Sequence, residues 1–252
     1  MKSSKEYDLS KPKNILIQGP PGTGKTCTAV RFDKVGLIDA DQNLAAGITF
    51  LKQRDPKKEL KWDTPHEDAK GEPLPSAKKW LRFVEINIEM LEDESVQTIV
   101  WDSMSRIKDM LIDYILAADS GYSAKNVIAN ERTMQIHHWG TFYSIMIKAL
   151  MRLCSNRKTF IVIAHDALIK DEVSGSMEVF PNIPGQLKDQ LAGLFQEYWH
   201  AEVKNKGMGE LQYIMRTVPA GRYKAKTTMG LPHEFEFKPD EFYEILTNLQ
   251  KA

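Results

Sequence analysis

Asn14-Ile15-Leu16-Ile17-Gln18 runs straight into Gly19-Pro20-Pro21-Gly22-Thr23-Gly24-Lys25-Thr26, and this junction decides the fold. The apolar run, stopped by glycine and proline, reads as a buried strand over residues 13–18. The octet has the G-x-x-x-x-G-K-T spacing of a loop that cradles phosphate. Its glycines let successive backbone N–H groups turn inward toward an anion. A brief helix, expected over 25–31, brings the positive end of its dipole to the same point. Lys25 has the reach for the outer phosphates of a nucleoside triphosphate, and the Thr26 hydroxyl is placed to hold Mg²⁺. Gly19, Pro20, Pro21, Gly22, Thr23, Gly24, Lys25, Thr26 and Cys27 are therefore the expected nucleotide contacts, with ATP and Mg²⁺ as the ligands.

Outward from the octet, apolar runs alternate with helical periodicity. Val35-Gly36-Leu37-Ile38-Asp39 reads as a second strand. Ser76 opens a helix on which Trp80, Phe83, Val84, Ile88 and Leu91 recur at helical spacing. Gln97-Thr98-Ile99-Val100-Trp101 is a further strand, closed by Asp102 and followed by a helix with Met104, Ile107, Leu111 and Ile115 on one face. A strong helix is expected from Gly140 to Ser155, then the strand Thr159–Ala164 ending at His165, then a helix over 186–196. Alternating segments at 197–204 and 210–218, joined by Lys204-Asn205-Lys206-Gly207, read as a hairpin. A helix over 240–250, capped by Asp240, closes the chain. The pattern predicts an α/β fold with a mostly parallel central sheet flanked by helices and a C-terminal antiparallel β extension. Chemistry then belongs at the carboxyl ends of the strands.

The rest of the chain reads as a short flexible lead over 1–12 followed by a single domain over 13–252. Residues 51–75, rich in proline, lysine and acids, read as a solvated excursion with one edge strand at Glu59–Asp63. Residues 119–137 are polar and poorly periodic, and Lys170–Gly185 reads as a loop. His137-His138 has no metal-ligand spacing and is expected at the surface.

Composition narrows the partners. With 252 residues, 42 % hydrophobic and 27 % charged, the chain resembles an ordinary soluble globular protein. Lys plus Arg (34) balances Asp plus Glu (34), so a nucleic acid must be held by a local basic surface rather than by net charge. Cys27 and Cys154 belong to no C-x-x-C pair, which argues against a zinc site or a disulfide framework. No stretch approaches the length of a membrane span, and the polar N-terminus is unlike a secretory signal, so the cytoplasm is the expected compartment.

Four further features carry chemistry. Asp102, at a strand end, can hold the magnesium through water opposite Thr26; an Asp there also caps the next helix. Asp39-Ala40-Asp41 ends the second strand, and acids at i and i+2 on extended chain point the same way, so both can face the site. Asp41 is the candidate for activating the water that attacks the γ-phosphate. His165 can report the γ-phosphate through a hydrogen bond to the loop that follows. Lys224 and Lys226, on a late extended segment, can complete a site in the same chain or in a neighbouring subunit, or can simply form a solvated basic edge.

The ordered set of the octet, Leu37-Ile38-Asp39-Ala40-Asp41-Gln42-Asn43-Leu44, Ile99-Val100-Trp101-Asp102-Ser103, Ile161-Val162-Ile163-Ala164-His165 and Lys224-Ala225-Lys226 resembles the ATPase core of RecA-like recombinases. It is most similar to the compact phage Sak-type annealing and recombination ATPases, over residues 13–232. The resemblance implies a catalytic acid at Asp41, shorter here than the usual Glu, and a γ-phosphate sensor at His165. It makes Lys224 and Lys226 the pair that reaches a neighbour's ATP. It puts DNA-binding loops at 119–138 and 166–185, with Lys125, Arg132, Lys170 and Lys188 as phosphate contacts. It further implies a homo-oligomer on single-stranded DNA in the cytoplasm, including a host cytoplasm for a phage-encoded chain. Gly-Pro-Pro-Gly-Thr-Gly-Lys-Thr is also typical of AAA+ remodelling or loader ATPases. Against these stand Ser103 after Asp102 and no legible helical lid after the core. A nucleotide-gated DNA-binding module with little hydrolysis, and less so a small-molecule kinase, remain open.

Overall fold

A computed structural model describes residues 14–119, 133–170, 175, 177–207 and 209–251. The lead at 1–12 and the cations Lys125 and Arg132 lie outside the described residues.

The junction folds as read: strand β1 (Asn14–Gln18), the glycine loop, then helix α1 (Lys25–Ala29). The chain continues through β2 (Val35–Asp39), α2 (Ala45–Arg54), β3 (Lys61–Asp63), α3 (Ser76–Glu92), β4 (Thr98–Asp102) and α4 (Met104–Ala118). Helix α5 (Ile136–Cys154) leads into β5 (Thr159–Ala164), the pair β6 (Asp166–Lys170) and β7 (Met177–Pro181), and α6 (Leu187–Leu194). Strands β8 (Glu197–Asn205), β9 (Leu211–Arg216) and β10 (Glu234–Phe235) precede the final helix α7 (Pro239–Lys251).

The sheet has eight strands in the order β10-β9-β8-β1-β5-β4-β2-β3. The strands from β8 to β3 pair in parallel, and β9 and β10 extend the far edge antiparallel. This is the expected mostly parallel α/β sheet with antiparallel strands at the C-terminal side. Its central strands are apolar on both faces because helices cover both. Leu16, Trp101 and Val162 face a core with residues of α3, α4, α5 and α6. Ile15, Ile17, Ile161 and Trp199 face the opposite core with residues of α1, α2 and α7. Alternation along the strand assigns the sides.

Several expectations need correction. Helix α2 was not foreseen. It buries only Gly47 and Leu51, so its sequence shows too little apolar periodicity to announce it, and it takes up the first residues of the supposed excursion. The segment read as a loop over 170–185 contains β7, which pairs with β6 from Asp166↔Pro181 to Lys170↔Met177. Its strands leave Leu168 and Met177 about half exposed, which blurs the alternation that would have marked them. The stretch around Lys224 and Lys226 is no regular strand but touches its neighbours through isolated bridges, Tyr198↔Lys226 and Val179↔Tyr223. The buried Glu197 carboxylate holds the turn after it, accepting from Thr228 N at 2.7 Å, Met229 N at 3.0 Å and the Thr227 hydroxyl at 3.0 Å, while its other oxygen takes Trp199 Nε1 at 2.9 Å. Among the described residues no helical bundle follows the core.

His138 is not at the surface. It is 3 % exposed, and Gln135 and His138 cap the start of α5 reciprocally. Its Nδ1 accepts the Gln135 N–H at 3.0 Å, so the ring proton sits on Nε2, which faces Asp119 Oδ2 at 2.9 Å. With His137, these groups lie close enough to suggest a cation site. A metal would need the Nε2 lone pair, and the Gln135 N–H keeps the proton there. Asp119 and His138 therefore read as a clasp between α4 and α5.

Candidate nucleotide site

Close contact fixes glycine at Gly19, and positive φ favours it at Gly22 and Gly24. A Cβ on Gly19 would stand 2.6 Å from the Ala201 carbonyl oxygen of β8. Gly24 sits at φ +81 just before α1, and a Cβ there would meet the Tyr213 ring of β9 at 3.2 Å. The loop thus lies folded between β8 and β9, under an aromatic ring.

Lys25 is buried, and its Nζ donates to the Gly19 carbonyl at 2.8 Å and the Pro20 carbonyl at 2.6 Å. Burial lowers its pKa, and the charges of Asp102, Asp166 and Asp41 oppose that shift. Thr26 Oγ1 donates to Asp102 Oδ2 at 2.6 Å. Burial pushes the Asp102 carboxyl up to about 7, against the Thr26 hydrogen bond, with Asp41 and Asp39 adding repulsion. The Asp102 carboxyl, which a cation would hold ionised, and the neutral Thr26 hydroxyl beside it are two hard oxygen donors. The donor set fits Mg²⁺.

Asp41 lies two residues beyond the end of β2, before Gln42 at φ +54. Its Oδ1 accepts the Ser103 hydroxyl at 2.8 Å and its Oδ2 accepts His165 Nε2 at 2.8 Å. Burial alone would raise its pKa; the hydrogen bonds from His165 and Ser103 outweigh it and hold the group below the usual carboxylate value. Asp39 does not share this task. Its two oxygens accept the backbone N–H groups of Asn43 at 3.1 Å and Leu44 at 3.2 Å. The strand ends between the two acids, so the alternation that would aim both the same way stops short of Asp41.

His165 follows β5, and its backbone N–H donates to Ser105 Oγ at 3.1 Å. Its Nδ1 is buried without a hydrogen-bond partner, which leaves the proton on the Nε2 that faces Asp41. The next residue faces another way. Asp166 Oδ1 accepts Gln18 Nε2 at 2.9 Å, and its Oδ2 lies 3.3 Å from His200 Nε2 of β8.

These groups meet in a cavity of about 670 Å³ at the carboxyl ends of the strands. Pro21 through Thr28, Cys27 included, line it with Asp41, Asp102 and His165. Gly19 and Pro20 contribute the carbonyls that hold Lys25. Phe50 of α2, Tyr213, Arg31 and Phe237 also line it. The Arg31 guanidinium lies 5.5 Å from the Phe50 ring centroid and 5.7 Å from that of Phe237. Sequence reasoning missed Ser103, Phe50 and Tyr213 as parts of this site. Nothing in local spacing reveals that β9 folds over the glycine loop or that α2 exists.

Lys224 and Lys226 are not part of this cavity. Lys224 Nζ pairs with Glu178 at 3.1 Å and stands 3.7 Å from the centre of the Phe180 ring. Lys226 Nζ donates to the Ala192 carbonyl at 2.5 Å. Lys188 stacks on the same Phe180 ring at 4.9 Å, and Lys170 is exposed at the end of β6. Lys170, Lys188 and Lys224 therefore gather around the β6–β7 pair and Lys226 is held by α6, all outside the cavity.

A family model described as AAA domain matches residues 11–229, from before the loop to beyond Lys226. No curated protein matches the sequence. Among solved structures, the flagellar accessory protein FlaH from Methanocaldococcus jannaschii is similar over 89 % of this chain and 87 % of its own, at 12 % identity and a TM-score of 0.39. The KaiC-like protein PH0186 from Pyrococcus horikoshii OT3 is similar over 81 % and 78 %, at 12 % identity and a TM-score of 0.43. A prototypical ATPase from the type III secretion system of pathogenic bacteria is similar over 76 % of this chain and 52 % of its own, at 15 % identity and a TM-score of 0.45.

Proposed function

The chain belongs to the AAA domain family, and from that premise we propose that it is a Mg²⁺-dependent ATPase of RecA-like build that assembles with its own copies on single-stranded DNA in the cytoplasm. The observation that carries the ATPase reading is the convergence of Lys25, Thr26, Asp41, Asp102 and His165 on one cavity with a glycine loop at its floor. Phosphates would occupy the loop, and Lys25 would exchange the Gly19 and Pro20 carbonyls for them. The base would lie outward, between Phe50 and Tyr213. Thr26 and Asp102 would hold Mg²⁺, which when bound neutralises charge on the phosphate oxygens.

In this reading Asp41 orients a water in line with the γ-phosphate and takes its proton as the oxygen attacks phosphorus and ADP departs. His165 Nε2–H, now on Asp41, can turn its hydrogen bond to the γ-phosphate and so release the acid. Lys224 and Lys226, turned away from their own cavity, would serve the nucleotide of an adjoining copy. The β6–β7 pair, with Lys170 and Lys188, would meet the DNA backbone. The family description covers neither annealing nor recombination; both rest on the resemblance of the ordered motifs.

One observation favours a second reading. Both oxygens of the short Asp41 are already engaged, by Ser103 and His165, as they would be in a protein that uses ATP to assemble and hydrolyses little. A single set of measurements separates the two. Lys25→Ala should abolish ATP binding in calorimetry. Asp41→Ala should keep binding and lose at least about 90 % of turnover, as expected for a group acting only in the transition state. ATP-dependent retention of labelled single strands on filters should survive Asp41→Ala and vanish in Lys25→Ala. Turnover that is low in wild type and no lower in Asp41→Ala would leave the second reading standing.

A further inference from the structure

The polar stretch between β3 and α3, which the sequence presents as solvated excursion, folds into a closed bracket. Asp68 Oδ1 accepts the backbone N–H groups of Lys70 at 2.8 Å and Glu72 at 3.0 Å. Asp68 N returns to the Glu72 carbonyl at 2.9 Å, and Leu74 N to the His66 carbonyl at 2.8 Å. At its root, Asp63 pairs with Arg82 of α3 at 2.6 Å and accepts the Thr64 N–H at 2.7 Å. The loop is thus shaped by its own hydrogen bonds and anchored to a helix.

Two of its side chains reach the strand end that carries Asp41. Thr64, 8 % exposed, donates its hydroxyl to the Asp39 carbonyl at 3.0 Å. His66 Nε2 lies 2.8 Å from the Ala40 carbonyl; a carbonyl only accepts, so Nε2 carries the proton. The opposite ends of the same two peptide groups are held from the other side. Ala40 N donates to the Asp102 carbonyl at 2.6 Å and Asp41 N to the same oxygen at 3.2 Å. Each of the two peptide planes leading to Asp41 is therefore gripped at its oxygen by the bracket and at its N–H by the end of β4.

We propose that Thr64 and His66 are positioning residues for Asp41, acting through the two peptide groups that precede it. The inference rests on the reading of Asp41 as the acid that activates water. The second of those planes, held by His66, shares its nitrogen with Asp41 and sets the direction in which that carboxylate leaves the backbone. Displacements of about 1 Å at such a group cost about a hundredfold in rate. Loss of one of the four grips leaves the plane free to tilt without opening the nucleotide loop, because neither Thr64 nor His66 lines the nucleotide cavity.

The experiment compares His66→Ala, His66→Gln and His66→Asn with wild type and Asp41→Ala, in the full chain. A glutamine amide nitrogen falls near the place of Nε2; an asparagine amide falls near Nδ1. The expected result is a fall in kcat of about tenfold or more in His66→Ala and His66→Asn, with KM for ATP and calorimetric ATP affinity within about twofold, and recovery in His66→Gln. Amide hydrogen exchange, which needs no turnover, should quicken by about tenfold at Ala40 and Asp41 in His66→Ala and return in His66→Gln. Thr64→Val should quicken exchange at Ala40 in the same way. Wild-type turnover and exchange in His66→Ala overturn the proposal while Asp41→Ala is dead. So does a loss shared by kcat, ATP affinity and melting temperature, with glutamine no better than asparagine. Wild-type turnover in Asp41→Ala overturns instead the reading of Asp41 on which the proposal stands.

Discussion

Glu197 shows what one buried carboxylate does in this molecule. It is fully buried on β8, yet both its oxygens are occupied, by the Trp199 indole and by backbone and hydroxyl donors of residues 227–229. Those bonds fold the segment bearing Lys224 and Lys226 back onto the sheet. Glu197→Ala strands the Trp199, Thr228 and Met229 donors in an apolar interior, at about 1–3 kcal/mol each. Urea unfolding of the variant should show a loss of at least about 3 kcal/mol, more than deleting a well-packed methylene would cause. Residues of this kind were invisible in the sequence, where Glu197 is one acid in an alternating strand. The places of Lys25 and Thr26 in the glycine loop and of Asp102 at a strand end were legible because local spacing next to an apolar run marks them. The shared direction expected of Asp39 and Asp41 fails because alternation does not carry two residues past the end of β2. Ser103 was hidden because its partner, Asp41, lies far away in sequence and is brought near only by the pairing of β2 with β4.

At the scale of elements, the buried parallel strands and the strongly amphipathic helices α3, α4 and α5 were legible, since period and composition agree there. Helix α2 and the β6–β7 pair were not, because each exposes much of its surface and so lacks a dominant apolar face. The β8–β9 ladder carries its own electrostatic test. Arg216 on β9 donates to both oxygens of Glu202 on β8, at 2.8 and 3.1 Å, and these bonds, outweighing burial, hold the Glu202 carboxyl below its ordinary value. A carboxyl with a folded-state pKa below its unfolded one adds stability that is complete above the unfolded value, near 4.5, and disappears as pH falls through the folded value. Arg216→Met should therefore be less stable than wild type at pH 7, and the difference should shrink as pH drops below about 4. Thermal melts across that range measure it. An unchanged difference at low pH would mean that the arginine acts through packing alone.

For the whole molecule, the sheet order separates two chemical regions. The cavity lies at the carboxyl ends of β1, β2, β4 and β5, whereas Lys224 and Lys226 are held near β7 and α6, outside it. The reading in which these lysines serve a neighbour makes a specific demand. A Lys25→Ala chain has intact lysines but no nucleotide; a Lys224→Ala/Lys226→Ala chain binds nucleotide but lacks the completing cations. Each should be nearly inactive alone, and an equal mixture should regain on the order of a quarter of wild-type ATP turnover, the share expected of mixed interfaces in a site shared between subunits. A mixture no more active than its parts would confine the site to one chain. No helix among the described residues is long and apolar enough to cross a membrane.

His165 and Asp166 are chain neighbours that look in different directions, one to Asp41 in the cleft and the other to Gln18 and His200. Asp166 is also the first residue of β6. One peptide bond is thus the joint between the pocket and the paired strands beside it. A backbone shift of residue 165 on triphosphate binding would reach the root of that strand pair across this one bond, whereas a turn of the imidazole alone would leave it in place.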